Sequence, residues 1–148
     1  MAVAESCTGG LVSNLLTNVQ GSSDFFSGGI VSYSNKAKKD LLNVSAKLIE
    51  KYGVISAEVA KAMAHGVRER MQTDIGLAVT GIAGPAGFEE GIDQGKLVGL
   101  VYVATAINGE LKCEEYRFFG SRTDIKKRAA NAVLNTLRLH LLGKAARC

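Results

Sequence analysis

The amino-acid sequence predicts an α/β fold, a single three-layer α/β/α domain whose mixed sheet includes one antiparallel hairpin. Short apolar segments alternate with helical patterns along 148 residues, a length that fits one domain with a buried core. The segment 96–107 is apolar on both faces, which is typical of a central strand. The pair Asn108-Gly109 then predicts a tight turn that returns the chain antiparallel over 110–120.

An opening strand, a helix, a second strand and two short helices are predicted in the first third of the chain. Residues 2–5 have the pattern of a strand end that enters a turn. The helix that follows places four apolar residues on one face: Leu11, Leu15, Leu16 and Val19. Residues 25–31 predict a loop that leads into a strand. Two short helices are expected over 35–43 and 45–53, the second ended by Gly53.

The clearest helical pattern starts at Ser56, which is expected to cap the helix. Its apolar stripe consists of Val59, Ala62, Met63 and Val67. A continuous apolar strand over 74–80 then leads into a glycine loop. The last helix is predicted to start near Ser121 and to bury Ile125, Ala129, Val133, Leu134 and Leu137.

Composition excludes several classes of protein. Hydrophobic residues make up 47% of the chain and charged residues 22%, which is typical of a globular domain. The sequence shows neither an apolar run of membrane-spanning length nor a signal peptide, so a cytoplasmic protein without a membrane partner is expected. Three cysteines without a C-x-x-C motif do not indicate a disulfide framework or a zinc site. Neither His65 nor His140 has a second ligand nearby in sequence, so no metal is expected.

The net charge is +4, and part of the excess lies late in the chain. Six basic residues cluster there: Lys126, Lys127, Arg128, Arg138, Lys144 and Arg147. They fall on a predicted helix and the carboxyl terminus without interleaved aromatic residues, so we interpret them as a solvated face. Nucleic-acid binding is therefore not expected, and the charge favours anionic small molecules.

Four turns rich in glycine or hydroxyl groups lie at the ends of predicted strands. They are residues 6–10, 32–35, 80–85 and 119–122. In open α/β sheets such loops meet at the carboxyl ends of the strands and form the binding crevice. Glycines let a ligand approach the backbone, and free amides at a helix start favour a phosphate or an oxyanion. The chain has neither the P-loop motif nor G-x-G-x-x-G.

The turn Ser6-Cys7-Thr8 allows several interpretations. Ser6 could be a nucleophile at a strand-to-helix turn, although the motif G-x-S-x-G is missing. From spacing alone, helix capping by Ser6 or Thr8 is the favoured interpretation. Cys7 is a rival nucleophile, and a small buried thiol is the more common role of such a residue.

A serine nucleophile needs a base, and the two histidines lie inside predicted helices. The candidate bases are therefore three lysines at a predicted helix start: Lys36, Lys38 and Lys39. Like charges and a helix amino terminus both disfavour an ammonium, so one of them could accept a proton. An ordinary solvated lysine cluster is the more common situation, and the residues alone do not select among the three. Arg122 could bind a phosphate or carboxylate, or could be a surface residue.

Six segments in this order resemble the CinA C-terminal domain family. They are "AESCTGGL", "GSSDFFSGGIVSYSNKAK", "YGVISAEVAKAMA", "TGIAGPAG", "GKLVGLVYV" and "FFGSRTDIKKRAA". The resemblance covers nearly the whole chain. The family includes nicotinamide-nucleotide amidases, which hydrolyse the carboxamide of nicotinamide mononucleotide to give nicotinate mononucleotide and ammonia.

The resemblance implies a serine amidohydrolase with a Ser/Lys dyad and without metal or cofactor. Matched by motif, the serine is Ser6 and the lysine is Lys38. Further pocket positions implied by the resemblance, or by the backbone amides of the first turn, are Cys7, Thr8, Gly9, Tyr33, Asn35, Thr80, Gly81, Gly84 and Arg122. A small-molecule nucleotide is the expected partner, and a homo-oligomer is the expected assembly.

The chain departs from the family pattern in three places. The helix and strand start that usually precede the first turn are missing, which leads us to expect a sheet edge paired in another way or a shortened polypeptide. The usual P-x-G-G is Pro85-Ala86-Gly87-Phe88, and the usual K-P-V-G is Lys96-Leu97-Val98-Gly99. Both loops are expected to face the ligand. The alternative to an amidase is therefore a nucleotide-binding module of a competence- or damage-inducible type protein that hydrolyses nothing.

Overall fold

The computed structural model describes residues 1–87 and 91–143. These residues contain a five-stranded sheet with the strand order β2-β1-β3-β4-β5. The strands are β1 (Ala2–Glu5), β2 (Gly28–Val31), β3 (Ile75–Gly81), β4 (Leu100–Ile107) and β5 (Glu110–Arg117). Strand β1 pairs in parallel with β2 and with β3, whereas β4 is antiparallel to both β3 and β5. The predicted mixed sheet with one hairpin is confirmed.

Helices cover both faces of this sheet, as the sequence predicts. They are α1 (Leu11–Thr17), α2 (Asn35–Leu42), α3 (Ala46–Tyr52), α4 (Ala57–Met71) and α5 (Arg122–Leu141), with one 3-10 turn at Ser22–Asp24. Helices α1 and α5 share one hydrophobic cluster with the sheet, and α2 and α4 share another. The three-layer α/β/α architecture follows.

The face of the sheet under α4 is built from alanine, and this small side chain lets the helix approach closely. The buried strand residues on that face are Ala2, Ala4, Ala78, Ala104 and Ala106. A Cβ on Gly76 would lie 2.1 Å from the Ala64 carbonyl oxygen, and one on Gly66 would lie 2.0 Å from the Leu42 carbonyl oxygen. Glycine at both positions lets α4 pack directly on the sheet and on α2.

Larger residues fill the opposite face, where α1 and α5 pack. The strands contribute Val3, Leu77, Val79, Val101 and Val103, and α5 contributes Ile125, Ala129, Val133 and Leu137. The prediction for the last helix is confirmed except at Leu134, which is half-buried against the cluster. Ser121 caps the helix in a capping box with Asp124.

Three expectations about individual elements need correction. Helix α1 ends at Thr17, so Val19 lies beyond it and is 53% exposed; the prediction that it shares the buried face was wrong. In α4, Ala62 is half-buried rather than part of the core stripe. The central strand starts at Leu100 instead of residue 96 because the backbone turns sharply at Gly99, where φ is +92°.

The turn between β4 and β5 is the predicted Asn108-Gly109 pair. Both residues have positive φ, 51° and 81°, as a type I′ hairpin turn requires. Strand β1 lies inside the sheet, with β2 on one side and β3 on the other. Within the described ranges, no helix combines the length and apolar character needed to cross a membrane.

Candidate functional site

A cavity of about 350 Å³ lies where β1, β2 and β3 end. Its lining includes Ser6 directly after β1, Tyr33 after β2 and Gly81 at the end of β3. Parallel strands place their carboxyl ends at the same sheet edge, which explains why turns distant in sequence meet here. The other lining residues are Cys7, Asn35, Lys38, Val54, Ile55, Ile82, Gly84, Ala86, Gly87 and Arg122.

Ser6 and Lys38 lie in contact inside this cavity. The Lys38 Nζ donates to Ser6 Oγ at 3.1 Å, to the Ser32 carbonyl at 2.9 Å and to the Tyr33 carbonyl at 3.3 Å. The lysine residue is 2% exposed, and Ser6 is 7% exposed. Lys38 reaches inward from the first turns of α2, whose start is fixed by the Ser34 side chain accepting from the Ala37 amide.

Burial lowers the pKa of Lys38 from 10.5 to about 8, because the ammonium loses its water. Burial also raises the pKa of the neighbouring Cys7 thiol from 9.0 to about 12. Cys7 therefore stays neutral near pH 7 and supplies no negative charge that would hold the proton on Lys38. A neutral buried thiol is also a poor nucleophile, which favours Ser6 over Cys7.

Of the three lysines that start α2, Lys38 is the buried one. Lys39 is exposed, and Lys36 is exposed and paired with Asp40, which raises its pKa. The sequence led us to expect that like charges and the helix amino terminus lower the pKa of one lysine. What lowers the pKa of Lys38 is instead its desolvation by burial. The inward direction of Lys38 follows from its position on α2, on the same side as the buried Leu42.

Glu5 organises the turn that carries Ser6, a role that the sequence patterns did not reveal. Its side chain is fully buried, and Oε2 accepts from the Thr8 hydroxyl at 2.7 Å, the Gly10 amide at 2.9 Å and the Val12 amide at 3.0 Å. Oε1 accepts from the Ser13 amide at 2.8 Å and its hydroxyl at 2.7 Å. The carboxylate thus caps α1 from within the preceding strand, so neither Ser6 nor Thr8 is the cap.

Two predicted pocket residues of this turn, Thr8 and Gly9, do not line the cavity. The Thr8 hydroxyl is bound to Glu5, and the Gly9 amide donates to the Ser6 carbonyl at 3.1 Å. The amides of Cys7 and Thr8 are left without an acceptor in the part of the chain that the structure describes. Of these two residues, Cys7 lines the cavity.

Thr80 also lies outside the cavity lining, although the sequence placed it there. It is fully buried, and its hydroxyl donates to the Val54 carbonyl at 3.0 Å. Thr80 therefore supports the cavity wall from behind. Val54 and Ile55 themselves were missed, because the family segment that contains them, 52–64, shows no catalytic or polar side chain at these two positions.

Arg122 joins two loops at the cavity. Its Nη1 donates to the Gly84 carbonyl at 2.5 Å, and its Nη2 donates to the Tyr33 hydroxyl at 3.1 Å. Both Arg122 and Tyr33 are exposed, so their polar groups are accessible to a ligand. Arg122 and the exposed Asn35 both line the cavity, which therefore has polar donors and a positive charge in its lining.

The two loops that depart from the family pattern differ in position. Ala86 and Gly87 line the cavity, as expected for the first loop, while Phe88 lies outside the described residues. The segment 96–99 does not line it, contrary to expectation. Lys144 and Arg147 of the basic cluster also lie outside the described residues. No group of metal-binding side chains occurs within residues 1–87 and 91–143.

The protein is an α/β domain of three layers. A serine and a lysine are in buried contact where its parallel strands end. Comparison with known sequences gives the family: residues 1–141 match the CinA C-terminal domain, and the chain belongs to that family.

The chain is similar to part of longer proteins of this family. It is 47% identical over 141 residues to a CinA-like protein of Syntrophomonas wolfei, covering 95% of this chain and 33% of that protein. It is 49% identical over 142 residues to a CinA-like protein of Dictyoglomus thermophilum, covering 96% and 34%. The chain thus spans about a third of the length of the curated relatives it matches.

Solved structures agree with the fold. The crystal structure of a competence/damage inducible protein from Agrobacterium tumefaciens matches with a TM-score of 0.85 and 39% identity, covering 93% of this chain and 82% of that one. A competence damage-inducible protein from Klebsiella pneumoniae matches with a TM-score of 0.89 and 29% identity, covering 95% and 85%.

Proposed function

We propose that this chain is an amidohydrolase that converts nicotinamide mononucleotide to nicotinate mononucleotide and ammonia. The observation that carries the proposal is the 3.1 Å contact between Ser6 Oγ and the buried Lys38 Nζ. It supports a nucleophile and its base on the two residues that the family motifs match. The proposed substrate comes from the resemblance, and its fit rests on the cavity described above.

The surroundings of Lys38 suit a neutral amine. A neutral amine has two N–H groups and one lone pair. The carbonyls of Ser32 and Tyr33 accept the two N–H groups, at 2.9 and 3.3 Å. The third neighbour is Ser6 Oγ, to which the ammonium donates. Once Lys38 is neutral this contact reverses, and the lone pair of Nζ accepts from the serine hydroxyl and can take its proton.

The proposed reaction has two stages. Ser6 Oγ bonds to the amide carbon while its proton moves to Lys38 Nζ, and the amide of Cys7, a lining residue, stabilises the resulting oxyanion. Lys38 then gives the proton to the amide nitrogen, the C–N bond breaks, and ammonia leaves an acyl-serine. In the second stage water loses a proton to Lys38 and attacks the acyl carbon. The proton returns to Ser6, and the free acid leaves. Removing an oxyanion donor typically costs about 3 to 4 kcal/mol of transition-state stabilisation.

The rest of the cavity matches the two ends of such a substrate. Arg122, Asn35 and the Tyr33 hydroxyl provide donors for a phosphate, and arginine presents a fork suited to two phosphate oxygens. Val54, Ile55 and Ile82 form an apolar side on which a ring can pack. The volume of about 350 Å³ lies within the range of small-molecule sites.

The test is ammonia release from nicotinamide mononucleotide by the purified protein and by Ser6→Ala. We expect turnover by the wild type and a loss of at least about a thousandfold in the variant, with substrate binding retained. Equal ammonia release by both proteins would refute the nucleophile assignment. Binding of the nucleotide without turnover by the wild type would instead support the non-catalytic binding module.

A further inference from the structure

An ion pair between the buried Asp93 and the half-buried Lys96 fixes, from outside the cavity, the backbone of the wall formed by Val54, Ile55 and Ile82. The Asp93 carboxylate, 5% exposed, accepts from the amides of Val54 at 2.8 Å and Ile55 at 3.3 Å. Lys96 Nζ donates to Asp93 at 2.6 Å and to the Ile55 carbonyl at 2.7 Å. Neither charged side chain lines the cavity, so their shared function is to hold the segment that does.

This wall presents no free backbone polar group. The amides and carbonyls of Val54, Ile55 and Ile82 are all bound within the protein. Asp93 and Lys96 satisfy three of these six groups. The other three partners are the Thr80 hydroxyl at 3.0 Å, the Leu100 carbonyl at 2.9 Å and the Gly99 amide at 2.7 Å. A ligand therefore meets aliphatic side chains here, and no backbone amide of Val54, Ile55 or Ile82 is free to donate to it.

A glycine makes this arrangement possible. A Cβ on Gly53 would lie 2.2 Å from Asp93 Oδ1 and 2.7 Å from its Cγ. The carboxylate reaches the two amides of the wall because residue 53 has no side chain in its way. Its φ of +81° also favours glycine, and it turns the backbone from α3 into the wall segment.

We infer that Asp93 and Lys96 are positioning residues that shape a dry wall for the flat pyridinium ring of the substrate, whose face has no hydrogen-bonding groups, and so select amides attached to such a ring. This inference rests on the proposed function. A small polar amide would lose hydrogen bonds to water on this wall and gain few in return, whereas a ring face has no hydrogen bonds to lose and gains contact area. The polar part of the cavity, around Arg122, serves the other end of the molecule.

The test measures binding to protein in the Ser6→Ala background, where no turnover occurs. Calorimetry compares two probes, nicotinamide mononucleotide and ribose 5-phosphate, which lacks the ring. We expect Asp93→Asn and Lys96→Met each to weaken nicotinamide mononucleotide binding by about 10-fold or more, equivalent to about 1.4 kcal/mol. Binding of ribose 5-phosphate should change by less than about 2-fold.

Control variants distinguish an effect of the wall geometry from an effect of charge alone and from an effect on folding. Lys96→Arg, which keeps donors for both acceptors, should restore most of the affinity. The double change Asp93→Lys with Lys96→Asp keeps opposite charges but offers the wall amides no acceptor at position 93, so it should stay weak. The exposed pair Glu110 and Lys112 supplies matched variants, Glu110→Gln and Lys112→Met, which should bind both probes normally.

Several results would overturn the inference. They are equal weakening of both probes, no weakening of either, and a Ser6→Ala parent that prefers neither probe. The proposed function is judged separately, by ammonia release from the wild type. A wild type that binds the ring-bearing probe through this wall and releases no ammonia would refute the amidase and leave the inference standing.

Discussion

Removing the amine of Lys38 tests the proposed base directly. Lys38→Met keeps a side chain of similar length and removes the group that accepts the proton. A positioned general base contributes about a hundred- to ten-thousandfold to a rate, so kcat should fall by that factor. Lys36→Met is the matched control, because Lys36 lies on the same helix, is exposed and pairs with Asp40. It should keep nearly full activity.

The pH dependence of kcat/KM is a second test of Lys38 as the base. With a pKa of about 8, Lys38 is about 9% neutral at pH 7 and half neutral at pH 8. The wild-type kcat/KM should therefore rise about fivefold between these two pH values and level off above about pH 9. Ammonia release measured from pH 6 to 9.5 tests this. A flat profile, or Lys38→Met activity within tenfold of wild type, would refute the assignment of Lys38 as the base.

The same pKa also predicts how stability depends on pH. Lys38 has a pKa of about 8 in the folded protein, against 10.5 for the ordinary group, so between these values the unfolded chain binds more protons. The free energy of unfolding therefore rises with pH across this window, by about 3 kcal/mol in total. Urea denaturation at pH 7.5 and 10.5 should show this gain in the wild type relative to Lys38→Met. An equal pH dependence in both proteins would contradict it.

Three further predictions concern neighbouring groups. Cys7→Ala should keep most of the ammonia release, because its thiol has a pKa of about 12 and is not the nucleophile; loss as large as in a serine knockout would contradict this. Glu5→Gln should lower the free energy of unfolding by about 3 kcal/mol in urea denaturation, since an amide group replaces an acceptor of several buried donors, while exposed Glu50→Gln should change little. Gly66→Ala should destabilise by about 2 kcal/mol despite the better helix propensity of alanine, because its Cβ would lie 2.0 Å from the Leu42 carbonyl oxygen; a rise in Tm would refute the close contact.

The layered fold was predictable because its signals are local. The Asn108-Gly109 turn and the Ser56 and Ser121 caps each follow from a few adjacent residues, and the structure confirms them. Errors occurred where a distant contact decides the local structure. Residues 96–99 look like the start of a strand, yet Lys96 is held by Asp93 and by the carbonyl of Ile55, so the strand starts later.

The candidate site was only partly predictable for the same reason. Clustered lysines at the start of α2 indicated a candidate base, but local charge arguments could not select Lys38, because burial by distant segments is what lowers its pKa. Thr8 and Thr80 have side chains suited to binding, and the structure uses both to support the backbone. Their direction depends on Glu5 and on the wall segment, and these contacts between side chain and backbone do not follow from any local sequence pattern.

Helix capping and catalysis looked like competing roles for the first turn, and Glu5 removes the competition. Its carboxylate satisfies the amides of Gly10, Val12 and Ser13, which an unassisted helix start would have left to Ser6 or Thr8. The Ser6 hydroxyl is therefore free to face Lys38 rather than the helix. An amidase of the proposed kind needs a rigid turn whose hydroxyl is uncommitted, and a buried acid one residue earlier in the chain supplies that condition.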